Sequence, residues 1–202
     1  MQLEEYEATF VAIAEEWNHA ERDIKLAEQV CQDVILPAVN ELRYAGRRLC
    51  DALVAAAQGK SEAEISVFLE EARLDCHRAR HDAIDGAISY IGEHLALMEQ
   101  HLGFDAILKA YPNFPAFIRK YLDAQSLIAS SREARDKRGE IYAALEGTNF
   151  PAIVSEYTLV LASEDLMTAR AARGRLSVLI ARLVIGCGIL AALIIILVFI
   201  AP

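Results

Sequence analysis

The sequence of 202 residues contains few of the residues that interrupt helices, with only five prolines and ten glycines. The alternating Val, Thr and Tyr patterns that are typical of strands are almost absent. Ala, Leu, Ile, Glu and Arg are abundant instead, a composition that favours long helices. We therefore predict an all-α fold in which long antiparallel helices form a bundle.

The motifs that carry common enzyme chemistry are also missing. The sequence has no Gly-rich phosphate loop, no nucleophile elbow and no G-x-G-x-x-G motif. Its four cysteines are scattered without a C-x-x-C pair and are expected to be small buried groups. We predict that the protein is not an enzyme, and we expect no cofactor and no metal site.

The longest uncharged stretch lies at the end of the chain. Residues 183–200 contain no charged side chain, and as a helix they would measure about 27 Å, close to the thickness of a bilayer core. Few helices of soluble proteins are apolar on all sides over such a length. We predict a single transmembrane helix over residues 178–200. Gly188 and Ala192 form a small-xxx-small pair on which two such helices can pack closely.

Charge is distributed unevenly along the chain. All 29 acidic residues and 16 of the 20 Lys and Arg residues lie within residues 1–169, so this part carries a formal charge of −13. Four arginines follow just before the uncharged stretch and form what we call the basic collar: Arg170, Arg173, Arg175 and Arg182. This asymmetry predicts a cytoplasmic N-terminus and a single-pass protein of the cell (inner) membrane. The collar is expected to contact anionic headgroups of the lipid bilayer, whereas the acidic body disfavours general nucleic-acid binding.

A regular apolar stripe occupies the N-terminal part of the chain. Its spacing alternates between three and four residues, as in helices that wind around one another. The stripe, which we call heptads 3–34, consists of Leu3, Tyr6, Phe10, Ile13, Trp17, Ala20, Ile24, Ala27, Cys31 and Val34. The helix that it packs against belongs to the same chain, to a second copy or to a partner protein. We expect a homo-oligomer, and a partner protein bound through these heptads stays open.

Proline and glycine positions divide the rest of the chain. Gly59 is predicted to end one helix, and Ser61 with Glu64 forms a capping box for the next. Predicted helices after the heptads cover residues 38–58 and 62–102, then one begins near Pro115 and a final one runs from Pro151 without an obligatory stop before Ile200. The resulting organisation is a cytoplasmic bundle (1–147), a last bundle helix with the basic collar (148–177) and the span (178–200).

Two clusters are candidates for ligand binding. His77 and His81 lie four residues apart on one helix face, a spacing able to hold a metal, but the Arg-Ala-Arg between them opposes a bound cation. Arg43, Tyr44, Arg47 and Arg48 form a patch, here called the Arg43–Arg48 patch, that could bind a phosphate or a nucleotide. The alternative for both clusters is pairing with the many surrounding carboxylates.

Helical ribonucleases of the HEPN type are bundles built around an Arg-x4-6-His motif. In this sequence Arg73 precedes His77 by three intervening residues and Arg78 precedes His81 by two, so the catalytic spacing is missing. A HEPN-like bundle that binds RNA or a nucleotide without this motif is one alternative for the function.

The favoured hypothesis is a membrane-anchored, self-associating helical effector at the cytoplasmic face of a membrane. Such a protein would disrupt or permeabilise the bilayer in a stress or antiviral defence pathway. Another hypothesis is a tail-anchored coiled-coil scaffold or tether that binds a partner protein.

Overall fold

The computed structural model describes residues 6–200, except for the side chains of residues 135, 148 and 191–200. All regular elements in this range are helical and no strand occurs in it, which confirms the predicted all-α fold. The α-helices are α1 (Glu7–Cys31), α2 (Leu36–Ala57), α3 (Glu62–Leu102), α4 (Phe104–Ala110), α5 (Phe114–Glu133), α6 (Arg138–Ala144), α7 (Phe150–Ala162) and α8 (Glu164–Ile200). A short 3-10 helix precedes α6, and a π-helical turn (Leu145–Asn149) follows it.

The end of α2 and the start of α3 follow the predicted local signals. Gly59, with a φ of +70°, follows α2 in a conformation that side chains with a Cβ disfavour. The Ser61 hydroxyl then accepts a hydrogen bond from the Glu64 amide at 3.3 Å, and the Glu64 carboxylate accepts one from the Ser61 amide at 3.2 Å. This reciprocal capping box confirms the predicted start of α3.

Helix α3 is continuous through Gly86. Its sequence changes from one apolar stripe to another between residues 82 and 86, which predicts either a break in the helix or a change of neighbour. A methyl group at Gly86 would lie 3.3 Å from the Ile35 side chain, so the glycine gives Ile35 room to pack against α3. The apolar positions predicted on both stripes of α3 are largely buried, including Ile84 and Ile91 at 0% exposure. The change of stripe therefore reflects a change of neighbour along an uninterrupted helix.

The single final helix expected from Pro151 onward is divided at Ser163, so this prediction was wrong. The Ser163 hydroxyl donates to the Leu159 carbonyl, while its amide donates to the Val160 carbonyl, one residue nearer than in an α-helix. The Ser163 carbonyl then accepts the Met167 amide and starts α8. A serine that competes for backbone groups, followed by the acidic first turn of α8, ends one helix and begins another.

The helices group into two compact units. Unit 1 contains the residues up to 95 together with 119–155, and unit 2 contains 96–118 together with the residues from 156 on. In unit 1, α1, α2 and α3 share a cluster of buried residues: Ile13, Ala52, Ala55, Ile65, Leu69 and Ala72. Phe10 and Tyr6 pack against this cluster, so part of the heptad stripe packs within the chain.

No helix in the described part of the chain is long and apolar enough to cross a membrane. The predicted span over 178–200 extends beyond this description, because it includes the side chains of residues 191–200. Ala192, one half of the small-xxx-small pair, lies outside the described side chains for the same reason.

Candidate functional site

The charged residues that the fold brings together most closely surround Arg80 of α3, which is only 8% exposed. Its Nε donates to Glu146 Oε1 at 3.1 Å, and its Nη2 forms a second contact with the same carboxylate. Its Nη1 donates to Glu16 of α1, and Asp23 Oδ2 lies 3.8 Å from Nε. One buried guanidinium thus joins three carboxylates that are distant in the sequence, and we call this group the Arg80 network.

Glu146 reaches Arg80 from the π-helical turn Leu145–Asn149. A π turn widens the helix locally and re-aims the side chains on it, and such turns occur often at functional sites. The Glu146 side chain is 9% exposed, as is that of Arg80. A planar guanidinium can face a carboxylate with two parallel hydrogen bonds, and this geometry holds the two side chains in one relative orientation. The π turn therefore places the Glu146 carboxylate where it pairs with Arg80 and joins this turn to α3.

His77 lies at the edge of the Arg80 network. Its Nε2 is 3.2 Å from Arg73 Nη1 and 3.6 Å from Glu16 Oε1. Burial lowers the pKa of His77 below its usual value, and the nearby charges of Arg80 and Arg73 act in the same direction, against the carboxylate of Glu16. The short distance to Glu16 alone would favour the charged ring. Burial and two guanidiniums outweigh it, so His77 is neutral at pH 7.

His81 lies against a different partner from His77. Its ring stacks on Tyr142 of α6 at a centroid distance of 3.6 Å. Burial lowers the pKa of His81 to about 3, helped by the charge of Arg138. The Tyr142 hydroxyl donates to Asp85 Oδ1 at 2.6 Å, and burial together with this carboxylate raises the Tyr142 pKa to about 12. Both rings are neutral packing elements at pH 7.

His77 and His81 are spaced like a pair of metal ligands along α3, but their side chains have different neighbours. The ring of His81 is covered by Tyr142, while His77 faces Arg73 and the Arg80 network. Within the described residues, no group of three or more His, Cys, Asp or Glu side chains is arranged to hold a metal ion. The structure therefore brings the histidines into two separate sets of contacts.

The Arg43–Arg48 patch is on the surface of unit 1. Arg47 pairs with Asp51 on the same helix at 3.1 Å, and Arg48 pairs with Glu71 of α3 at 2.9 Å. The Arg43 guanidinium lies 5.3 Å from the centre of the Tyr44 ring. Two of the three arginines thus have carboxylate partners, which favours the structural interpretation of the patch. Phosphate or nucleotide binding there stays a prediction.

The basic collar is in unit 2, on α8. Arg175 donates to the His101 carbonyl at the end of α3 at 2.8 Å. Arg170, Arg173 and Arg182 are exposed and form no ion pair with any described residue. Gly188, farther along α8, has open space where a side chain would lie. The collar is the one predicted cluster whose charges are largely uncompensated within the described part of the chain.

From the sequence, Arg80 is only one of the two arginines between His77 and His81, and nothing in the sequence connects it with Glu146 or Asp23. A local signal existed for two members of the network. Asp23 and Glu16 each directly precede an apolar residue of the heptad stripe, Ile24 and Trp17, and so lie at the margin of the buried face. No comparable signal marks Glu146.

No protein-family model matches this chain, and no significant similarity was found to a curated protein or to a solved structure.

Proposed function

We propose that the protein is a membrane-anchored helical effector that self-associates at the cytoplasmic face of the cell membrane. In this proposal α8 supplies a single span over residues 178–200, and the other helices form the cytoplasmic body. The body gathers several copies, and the gathered spans breach the bilayer as part of a stress or antiviral defence response.

The observation that carries the proposal is the exposure of α8. Every described side chain from position 172 to 190 is exposed. The apolar ones point to all sides of the helix, with Leu183 at 69%, Ile185 at 62% and Leu190 at 61% exposure. Removing one such side chain from water contributes about 1.5–3 kcal/mol. An interfacial helix would cover one face only, whereas a bilayer covers all of them, which supports a span.

The charges around α8 support an orientation. The collar places four arginines before the uncharged stretch, and the acidic body precedes them. Arginines flanking a span on one side are typical of the cytoplasmic side. Arg182 lies about one turn into the proposed span and can extend its guanidinium back toward the headgroups.

The proposed action has no catalytic step. The charged groups that unit 1 brings together pair with one another, with Arg80 joined to Glu16 and Glu146. The span instead offers a small-residue face at Gly188 and Ala192 on which copies can pack. Assembly and membrane disturbance are therefore the proposed activities.

The test combines flotation with dye release, using the full chain and phosphatidylcholine vesicles. We expect the protein to float with the vesicles, to resist extraction by alkaline carbonate and to release a trapped dye. The double variant Ile185→Arg/Ile189→Arg should remain at the bottom of the gradient, since each arginine costs about 2.5–3.5 kcal/mol near the centre of a span. Val11→Arg, which introduces one arginine in place of an exposed apolar residue of α1, is the control.

The readouts separate the parts of the proposal. A wild-type chain that does not float, or that carbonate removes, rules out the span. Flotation with full retention of the dye would be consistent with membrane anchoring and would rule out permeabilisation of the bilayer. Chemical crosslinking in the same vesicles reports self-association, and a monomer at all protein densities contradicts it.

A further inference from the structure

A groove in unit 2 runs between α4 and α8 beside the basic collar. Its volume is about 900 Å³. Part of its wall is apolar, formed by Leu102, Ala106, Val178 and Leu179. It follows α8 from Arg170 to Arg182, which corresponds to ~18 Å along the helix axis.

The rest of the wall is cationic. The four collar arginines line the groove together with Lys109, against the single carboxylate of Asp105. Lys109 pairs with that carboxylate at 2.5 Å, and Arg175 donates one hydrogen bond to the His101 carbonyl. The remaining collar arginines have no ionic partner among the described residues. The groove thus has a surplus of four positive charges next to an apolar wall.

This combination fits one class of ligand. A molecule that complements it has an anionic group for the guanidiniums and a hydrocarbon part for the apolar wall. Guanidinium groups bind phosphate with two parallel hydrogen bonds. We propose that the groove binds an anionic phospholipid, with its phosphate at the collar and its acyl chains along Val178 and Leu179. This inference rests on the proposed membrane location, which supplies the lipid.

Gly174 makes a sharp test possible, because it lines the groove and a Cβ added there would meet nothing within 4 Å. Gly174→Leu therefore adds apolar bulk at the groove from a Cβ that meets no neighbouring atom, and it keeps all the charges of the collar. Gly139 of α6 has equally open surroundings and does not line the groove, so Gly139→Leu is the matched control. A second variant, Arg170→Gln/Arg173→Gln, removes charge and keeps the space.

The full chain is placed in mixed micelles of a neutral detergent with equimolar phosphatidylcholine and phosphatidylglycerol, and native mass spectrometry identifies the retained lipid. We expect roughly tenfold enrichment of phosphatidylglycerol, in keeping with the attraction of several arginines. Gly174→Leu and the double Gln variant should each reduce the enrichment to near unity, and Gly139→Leu should preserve it. Because micelles require no insertion, the result is independent of the flotation experiment.

Three other outcomes overturn the groove as a lipid site. No enrichment in the wild type does so directly. Loss of enrichment in the double Gln variant alone, with Gly174→Leu unaffected, shows diffuse attraction to the collar. Displacement of the lipid by excess inorganic phosphate shows a site for the free anion. Enrichment in micelles without flotation on vesicles would retain the lipid site and remove the span.

Discussion

The Nε of Arg80 donates to Oε1 of Glu146 across 3.1 Å, although the two residues are 66 positions apart in the chain. The contact joins α3 to the π-helical turn that follows α6. Both side chains are almost completely buried. Burying a charge costs free energy unless its partners are in place. The stability of unit 1 is therefore expected to depend on the Arg80 side chain.

Replacing Arg80 by Met is expected to lower the free energy of unfolding by about 3–5 kcal/mol. The variant leaves the carboxylates of Glu146, Glu16 and Asp23 close together without their cation, and removal of one member of a buried pair has a cost of this size. Urea unfolding of the full chain in detergent, followed by the fluorescence of the single tryptophan Trp17, measures the change.

Arg47→Met is the control for that experiment. Arg47 also pairs with a carboxylate, but its side chain is 75% exposed. An exposed ion pair of this kind contributes well under 1 kcal/mol. Equal losses in the two variants would mean that the Arg80 network has no special role in stability.

Stability should fall in mild acid because of His81. Its pKa is lowered to about 3 in the folded protein from an ordinary value of 6.5. The unfolded chain therefore binds a proton below about pH 6.5 that the folded chain does not accept, and stability decreases by about 1.4 kcal/mol for each pH unit below that value. His81→Phe retains a ring against Tyr142 and removes the titration.

The measurement is the difference in unfolding free energy between wild type and His81→Phe. It should change in favour of the variant by about 2 kcal/mol between pH 7 and pH 5. His19→Gln, at an exposed histidine, is the matched control. A difference that is independent of pH would show that His81 titrates alike in the folded and unfolded chains.

Much of the fold is readable from the sequence because its signals are local. The start of α3 depends on Ser61 and Glu64, three residues apart, and the end of α2 on Gly59. The final helix was misjudged for a related reason. Serine is tolerated within helices, and only the hydrogen bonds of Ser163 to the preceding turn reveal that it ends α7.

The Arg80 network was beyond local inference. Which carboxylate reaches Arg80 depends on how α1 and the π turn pack against α3, and π turns have no strong sequence signature. The spacing of His77 and His81 suggested a shared ligand, yet their rings meet different neighbours. The spacing of residues along a helix determines which side chains lie on the same face. The packing of the neighbouring helices determines which groups those side chains contact.

Gly92→Ala is expected to destabilise unit 1 by about 1–3 kcal/mol. The hydroxyl of Tyr121 occupies the space where the methyl group would lie, and the buried ring has little freedom to move. Alanine normally stabilises a helix interior by ~0.5–1 kcal/mol relative to glycine. Gly174→Ala, in the interior of α8 and with no atom near the added methyl group, should show that gain. If both alanines stabilise, the close approach of Tyr121 to α3 is not maintained in solution.

The variant Phe10→Glu tests whether heptads 3–34 pack within the chain or bind another molecule. Phe10 packs against the cluster around Ile13, so the charge should lower the free energy of unfolding by about 3 kcal/mol. Val11→Glu, at the adjacent residue with 53% exposure, should change it by less than ~0.5 kcal/mol. Urea unfolding gives these values, and analytical ultracentrifugation in detergent gives the mass. A smaller mass for Phe10→Glu with unchanged stability would move the stripe to an interface between molecules and favour the tether hypothesis, because an internal contact cannot be lost without a cost to folding.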